Sequence, residues 1–321
     1  MQAILAVTIP FFALVLCGYL AARSHVLPES AIPGLNGFVL FFALPCMLFR
    51  FGASLPVAQV LNPAVMGLWL AGALTMLIGT VLLTRSPQVP MKDAAFGALT
   101  AAFPNTGFMG APLLPALLGA AAAGPVITMV LVDMLITTSL AIALSQVGGQ
   151  GEAGPWRAAQ RAVRSALSNP LPWAIALGMA LSALQWRLPG PVDTIVKMLA
   201  DAATPVALFT IGTVLWRAGV HVHSRTPLAR YLPVALAKLL VHPLLILALG
   251  TAALYLGAPL TPFAVTVMVL GAALPSASKV SLLAERFRAD NGRIARIVVS
   301  STVLSFASFS LIAWASGVQP K

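Results

Sequence analysis

Two short segments place proline beside hydrogen-bonding residues in the middle of long apolar runs. The first reads F-P-N-T-G over residues 103–107, and the second reads L-P-S-A-S over residues 274–278. Proline lacks an amide donor and clashes with the preceding turn, so each segment is predicted to break a helix. The free amide groups of a helix that restarts after a break can attract an anion. The alternative for each segment is an ordinary proline kink.

A positive charge follows the second break. Lys279 comes four residues after Pro275, which brings its ammonium within reach of the break at a rise of about 1.5 Å per residue. There it could pair with a bound carboxylate, and the alternative is that its flexible stem extends to the cytoplasmic surface. The predicted anion-binding residues are Pro104, Asn105, Thr106, Gly107, Pro275, Ser276, Ser278 and Lys279.

Four more ionisable residues interrupt apolar runs, where a charge is unfavourable and indicates a function. Asp133 lies near the middle of its run, and Asp201 precedes Pro205 by one turn. Lys238 and His242 are four residues apart and share a helix face. Lys238 is near enough to the end of its run to snorkel, and a structural, hydrogen-bonded role is the alternative for His242. We expect Asp133, Asp201 and His242 to support the site or to couple it to an ion.

The composition indicates that these residues lie in a membrane protein. Of the 321 residues, 59% are hydrophobic and 8% are charged, and the mean hydropathy is +0.94. Soluble proteins carry roughly 25% charged residues. This excludes a soluble enzyme, a nucleic-acid-binding module and a disordered chain. At about 20 residues for each membrane-spanning helix, the length predicts an all-α membrane protein with about ten spans.

Ten apolar runs are predicted to cross the membrane, with the two breaks in the fourth and ninth. They lie near residues 3–22, 33–54, 63–84, 94–118, 124–147, 167–186, 192–216, 229–256, 261–284 and 294–316. Because their connections alternate between the two sides of the bilayer, 13 of the 19 Lys and Arg fall on one side and 3 on the other. This bias predicts that the cation-rich side is cytoplasmic. We therefore expect a protein of the cell inner membrane with both termini on the non-cytoplasmic side.

The two halves of the chain share an internal repeat. P-x-x-L-F-x-x-G occurs at 45–52 and at 205–212, which is an offset of 160 residues, and the two breaks are 171 residues apart. Five spans is an odd number, so the second copy starts on the opposite side and the repeat is inverted, as in many secondary transporters. The expected divisions are a first five-helix repeat at 1–147, a cytoplasmic linker at 148–165 and a second five-helix repeat at 166–321.

The break segments resemble the two crossover segments of the auxin efflux carrier family. The residues concerned are F-P-N-T-G-F-M-G-A-P-L (103–113) and A-L-P-S-A-S with L-A-E-R-F (273–278 and 283–287). This family includes plant auxin carriers of the PIN type and bacterial proteins regarded as carboxylate permeases. The resemblance covers the whole chain and implies a bile-acid-symporter-like fold, with a scaffold domain that could form a homodimer. It also implies a transport domain that carries an organic anion by an elevator-like movement, with Pro104, Asn105 and Pro275 at the crossover.

Secondary transport of a small organic anion, such as a dicarboxylate or an auxin-like acid, is the function that the sequence favours. The chain has no G-x-x-x-x-G-K-[ST] nucleotide loop and no H-E-x-x-H zinc motif, and its aspartates do not occur in a G-x-G-D context. An intramembrane enzyme is therefore disfavoured, and no cofactor or metal is expected. The alternative is an anion channel or a transporter-like receptor. Proton coupling, sodium coupling and uniport stay open, although Lys279 argues against a sodium ion in the same space.

Overall fold

The protein is built from α-helices throughout the part that the structure describes. This computed structural model describes residues 1–146, 160, 164, 167–220 and 226–319. Within these ranges there is no β-strand, and of two isolated bridges one joins Pro104 to Ser276. The helices are α1 (Gln2–Arg23), α2 (Glu29–Ser54), α3 (Val57–Thr84), α4 (Met91–Ala102), α5 (Thr106–Leu118), α6 (Ala120–Ser145), α7 (Pro170–Ala183), α8 (Gly190–Val220), α9 (Leu228–Tyr255), α10 (Pro262–Ala273), α11 (Lys279–Arg286) and α12 (Asn291–Ala315).

Among the described residues, seven helices are long and apolar enough to cross a membrane, namely α1, α2, α3, α6, α8, α9 and α12. They agree with the prediction of an all-α membrane protein. The fourth predicted span is divided into α4 and α5, and the ninth into α10 and α11. The sixth, α7, has 14 residues and is shorter than predicted. The linker predicted at 148–165 lies outside the described residues, apart from residues 160 and 164.

Helices α1, α2, α7 and α8 pack closely through glycines, and we call them the glycine-packed group. A Cβ atom on Gly18 of α1 would overlap the carbonyl oxygen of Phe209 in α8, so only glycine allows this approach. The contact of Gly178 in α7 with the carbonyl of Phe49 in α2 is the same contact shifted by 160 residues. Two further contacts show the same offset, those of Gly212 with Val15 and of Gly52 with Ile175.

The remaining helices, α3–α6 and α9–α12, form what we call the crossover group. Its centre contains α4, which is buried at every position from Ala94 to Ala102, and α10, which is buried from Val267 to Ala273. A helix that is buried on all faces lies inside the protein and not against solvent or lipid. Helices α3, α6, α9 and α12 pack around these two. The group thus holds both interrupted helices away from the protein surface.

Candidate functional site

The two helix breaks meet at the centre of the crossover group. Phe103 and Leu274 each precede a proline and have extended backbone, as expected because proline disfavours the helical conformation of the preceding residue. The Asn105 amide donates to the Pro275 carbonyl at 2.8 Å, and the Ala277 amide donates to the Phe103 carbonyl at 3.0 Å. Unwound backbone is tolerated at membrane depth only where it is buried and hydrogen-bonded. Each break therefore supplies hydrogen-bonding partners for the other.

Ser276 anchors the second break to two neighbouring helices. Its hydroxyl donates to the Thr100 carbonyl of α4 at 2.8 Å. Its backbone amide donates to the hydroxyl of Ser301 in α12 at 3.1 Å. All three residues are buried. These bonds fix the crossover in position relative to the helices around it.

Asn105 differs from its neighbours because its side chain has no partner. The residue is 3% exposed, and its amide group makes no hydrogen bond to any residue in the described part of the chain. Its backbone carbonyl accepts from the amides of Met109 and Gly110 at the start of α5. A side-chain amide can both donate and accept hydrogen bonds. Asn105 is thus held in place by its backbone and keeps its side chain available to a ligand.

Asp133 connects the first break to α3 and α6. It is fully buried on a π-helical turn of α6, a type of turn that is frequent at functional sites. Its carboxylate accepts hydrogen bonds from Trp69 Nε1 at 2.9 Å, Thr106 Oγ1 at 3.3 Å and Thr137 Oγ1 at 3.4 Å. Through Thr106 the carboxylate fixes the residue at which α5 begins. Asp133 is therefore a support for the crossover.

Lys238 does not reach the surface of the protein. It is fully buried on a π-helical turn of α9, where its ammonium donates to the carbonyl of Ala272 and lies 3.2 Å from His242 Nδ1. The prediction that Lys238 snorkels is wrong, because α10 ends at this point and its last carbonyls need donors. A charged ammonium can only donate, so with Lys238 protonated Nδ1 accepts and the His242 proton is on Nε2. This Nε2 has no partner within the described residues, and the ring packs against Trp69.

A cavity of about 540 Å³ lies between the glycine-packed group and the crossover group. Lys279, the first residue of α11, lines this cavity and places Nζ 4.3 Å from the centroid of the Phe103 ring. Arg217 and Arg286, near the ends of α8 and α11, also line it, and no Asp or Glu of the described residues does. The buried Asp133 does not line the cavity but is near enough to Lys279 to interact with it electrostatically. Among the described residues, the ionisable side chains that line the cavity are thus all cationic.

The structure brings most of the predicted site residues together. The residues at the crossover are Pro104, Asn105, Thr106, Gly107, Pro275 and Ser276, and those that line the cavity are Ser278 and Lys279. Asp133 binds Thr106, and His242 is joined to Lys238. Asp201 lies apart from this network: it is exposed on α8, and its side chain makes no hydrogen bond or ion pair within the described ranges.

Three residues of the site were not predicted from the sequence. Trp69 donates to Asp133, and Arg217 and Arg286 line the cavity. A buried carboxylate such as Asp133 needs hydrogen-bond donors, and the indole of Trp69 can supply one. The sequence did not single out Trp69, because a tryptophan in an apolar run is also typical of packing. The two arginines contributed only to the count of charges on each side of the membrane. That count of charges does not indicate that a cavity opens beside the two arginines.

Comparison with known proteins gives matches over nearly the whole chain. A family model described as "Membrane transport protein" matches residues 3–314. A proposed malonate transporter of Rhizobium meliloti (strain 1021) is 29% identical over 313 residues, covering 96% of this chain and 94% of that protein. An uncharacterized transporter of Methanothermobacter thermautotrophicus is 29% identical over 307 residues, with 93% of each chain covered. The uncharacterized transporter YfdV of Escherichia coli (strain K12) is 24% identical over 289 residues, with 87% of each covered.

Proposed function

The chain belongs to the membrane transport protein family, and from this premise we propose that it is a secondary carrier of small organic anions. The observation that carries the proposal is the cavity beside the crossover, which Lys279, Arg217 and Arg286 line without a carboxylate from the part of the chain that the structure describes. A cavity with cationic walls and no counter-charge attracts anions and repels cations. The name of the Rhizobium relative adds a dicarboxylate, malonate, as the first candidate substrate.

The crossover supplies the second part of an anion site. Helices α5 and α11 begin at Thr106 and Lys279, so the positive ends of both helix dipoles face the crossover. Asn105, whose side-chain amide makes no hydrogen bond within the described residues, directly precedes the first of these helix starts. The Asp133 carboxylate repels a bound anion only weakly, because Trp69 and two threonines donate hydrogen bonds to its oxygens. We propose that a substrate carboxylate binds between Lys279 and Asn105.

We further propose ten spans, arranged as two inverted five-helix repeats. The glycine contacts of α1 with α8 and of α7 with α2, which repeat at an offset of 160 residues, support this arrangement. In this scheme the glycine-packed group is the scaffold and the site of any homodimer, and the crossover group moves against it as an elevator. Because the cavity lies between the two groups, such a movement would change the side on which it opens. Arg217 and Arg286 line the cavity and belong to the cations predicted to be cytoplasmic, so we propose that the cavity opens toward the cytoplasm.

Transport by the purified protein in liposomes tests the proposed function. We expect uptake of labelled malonate or a related carboxylate, and no uptake of neutral sugars or amines. Substrate inside the liposomes should accelerate uptake, because a carrier exchanges substrate across the membrane and a channel does not. Empty liposomes serve as the control. Uptake of a neutral amine or sugar without any response to a broad carboxylate panel would contradict the proposal, and carboxylate flux without acceleration would favour a channel.

Replacing Asn105 is expected to weaken transport without unfolding the protein. Asn105→Ala removes a hydrogen bond to a charged substrate and should lower the transport rate at sub-saturating substrate about tenfold, or about 1.4 kcal/mol. The helix break should survive, because the backbone bonds to Pro275 and Ala277 do not use the side chain. Thermal unfolding in detergent checks this. Asn105→Ser, which keeps a donor and an acceptor, should retain part of the activity.

Wild-type transport by Asn105→Ala would show that this side chain does not contact the substrate. The binding site would then consist of Lys279 and the helix starts.

A further inference from the structure

A second cationic cavity lies at the end of the bundle where α3 ends and α9 and α12 begin. Its volume is about 390 Å³, and it is separate from the cavity beside the crossover. Arg85, Arg230 and Arg293 line it, and within the described ranges no Asp or Glu does. Three hydroxyl-bearing residues, Thr80, Thr84 and Ser86, complete its polar wall. Guanidinium groups and hydroxyls together are the donors that bind phosphate groups in proteins.

Arg293 forms the base of this cavity and is held rigidly. It is 2% exposed, and its guanidinium donates from Nε to the Arg230 carbonyl at 2.9 Å and from Nη1 to the Asp93 carbonyl at 3.0 Å. The two nearby carboxylates are occupied by backbone amides. Asp93 accepts from the Asp290 amide at 2.8 Å, and Asp290 accepts from the Arg293 amide at 2.9 Å. The charge of Arg293 is therefore positioned by carbonyl groups, and neither carboxylate hydrogen-bonds its guanidinium.

The rim of this cavity is apolar and exposed. Leu83, which lines the cavity, is 88% exposed, and its neighbour Leu82 is 75% exposed. Leu228, at the start of α9 and next to the lining residue Ala229, is exposed as well. In a membrane helix such leucines face lipid chains. A soluble phosphate ion would gain nothing from contact with these leucines. A phospholipid has both a phosphate for the arginines and acyl chains for the leucines.

We propose that this cavity binds the phosphate headgroup of an anionic phospholipid, with the acyl chains lying over Leu82 and Leu83. Arg85, Arg230 and Arg293 would contact the phosphate, in the manner of other basic pockets between membrane helices. The bound lipid would join the ends of α3, α9 and α12. The site is independent of the substrate cavity, so it does not rest on the proposed transport function.

Lipid binding to the purified full chain in neutral detergent tests this proposal. Native mass spectrometry with short-chain phosphatidylglycerol should show one lipid bound with preference over phosphatidylcholine. The double variant Arg85→Gln/Arg230→Gln should weaken this binding at least tenfold. Both side chains are exposed, so folding should not depend on them. The matched control Arg23→Gln/Arg187→Gln removes the same charge at exposed positions away from the cavity and should bind phosphatidylglycerol like the wild type.

Three outcomes would overturn the proposal. One is that the cavity variant binds phosphatidylglycerol as tightly as the control variant. Another is equal binding of phosphatidylcholine, which would show that the acidic headgroup is not selected. The third is displacement of the lipid by inorganic phosphate at equal concentration, which would make a soluble phosphate the ligand.

Discussion

Lys279→Ala is expected to abolish carboxylate transport while the protein stays folded. Lys279 begins α11, lines the cavity and makes no ion pair within the described ranges. Losing a charged partner of a substrate carboxylate costs about 2 kcal/mol or more, which corresponds to about thirtyfold or more in rate. Folding should not suffer, because a cation at a helix N-terminus opposes the helix dipole. Transport into liposomes and thermal unfolding in detergent measure the two effects separately.

Two further variants make this prediction specific. Lys279→Arg keeps the charge but replaces a compact ammonium by a larger, planar group, so we expect partial activity. Lys197→Ala removes a lysine that is exposed on α8 and should leave transport unchanged. If both Lys279 variants keep the affinity and rate of the wild type, the lysine only extends toward the surface. The helix starts would then supply all of the positive potential at the site.

Two substitutions of Asp133 are expected to have different effects, one mainly on stability and the other mainly on transport. Asp133→Ala leaves the donors of Trp69 and Thr106 without an acceptor in a fully buried position, at about 1–3 kcal/mol for each unsatisfied group, whereas the Thr137 hydroxyl keeps the Val132 carbonyl as acceptor. We therefore expect a large fall in the melting temperature. Asp133→Asn keeps the shape and one acceptor but removes the charge that attracts Lys279. This variant should stay folded and lose transport at least tenfold.

Thermal unfolding and liposome transport of both variants test this prediction. Trp69→Phe is the matched control, because it removes one donor to Asp133 and keeps the charge and most of the packing volume. It should be mildly destabilised and still active. An Asp133→Asn protein with wild-type transport and melting temperature would show that the charge has no role at the crossover.

The helix breaks could be predicted from local sequence, but their contacts could not. A proline within an apolar run acts on the residue before it, so the ends of α4 and α10 follow from Pro104 and Pro275. That these breaks pair with each other depends on residues about 170 positions apart, and only the internal repeat and the family resemblance indicated it. Asp133 was predicted as a support for the site because of its depth in an apolar run. Its donor Trp69 is 64 residues away and carries no local signal.

The lysines show that the position of a residue within an apolar run does not determine whether its side chain is buried. Lys238 and Lys279 both lie near the end of an apolar run, yet Lys238 is fully buried and Lys279 lines a cavity. Lys238 is buried because the carbonyl of Ala272, on a different helix, accepts from it. Asp201 shows the opposite outcome. It lies within an apolar run, one turn before a proline, and was expected to support the site, yet it is exposed on α8. Which face of a helix meets protein depends on tertiary packing, which a single run of residues does not contain.

The pairing of the two breaks also determines when the protein can finish folding during synthesis. The amide of Asn105 and the carbonyl of Phe103 bond to residues 275 and 277, so these two groups of the first break have no backbone partner until those residues leave the ribosome. At about 5–20 residues per second, the delay is roughly 10–30 s. During this time the nascent first half carries unpaired backbone groups, which are costly in lipid. We expect membrane insertion machinery or a wet interface to shelter them until residues 275 and 277 arrive.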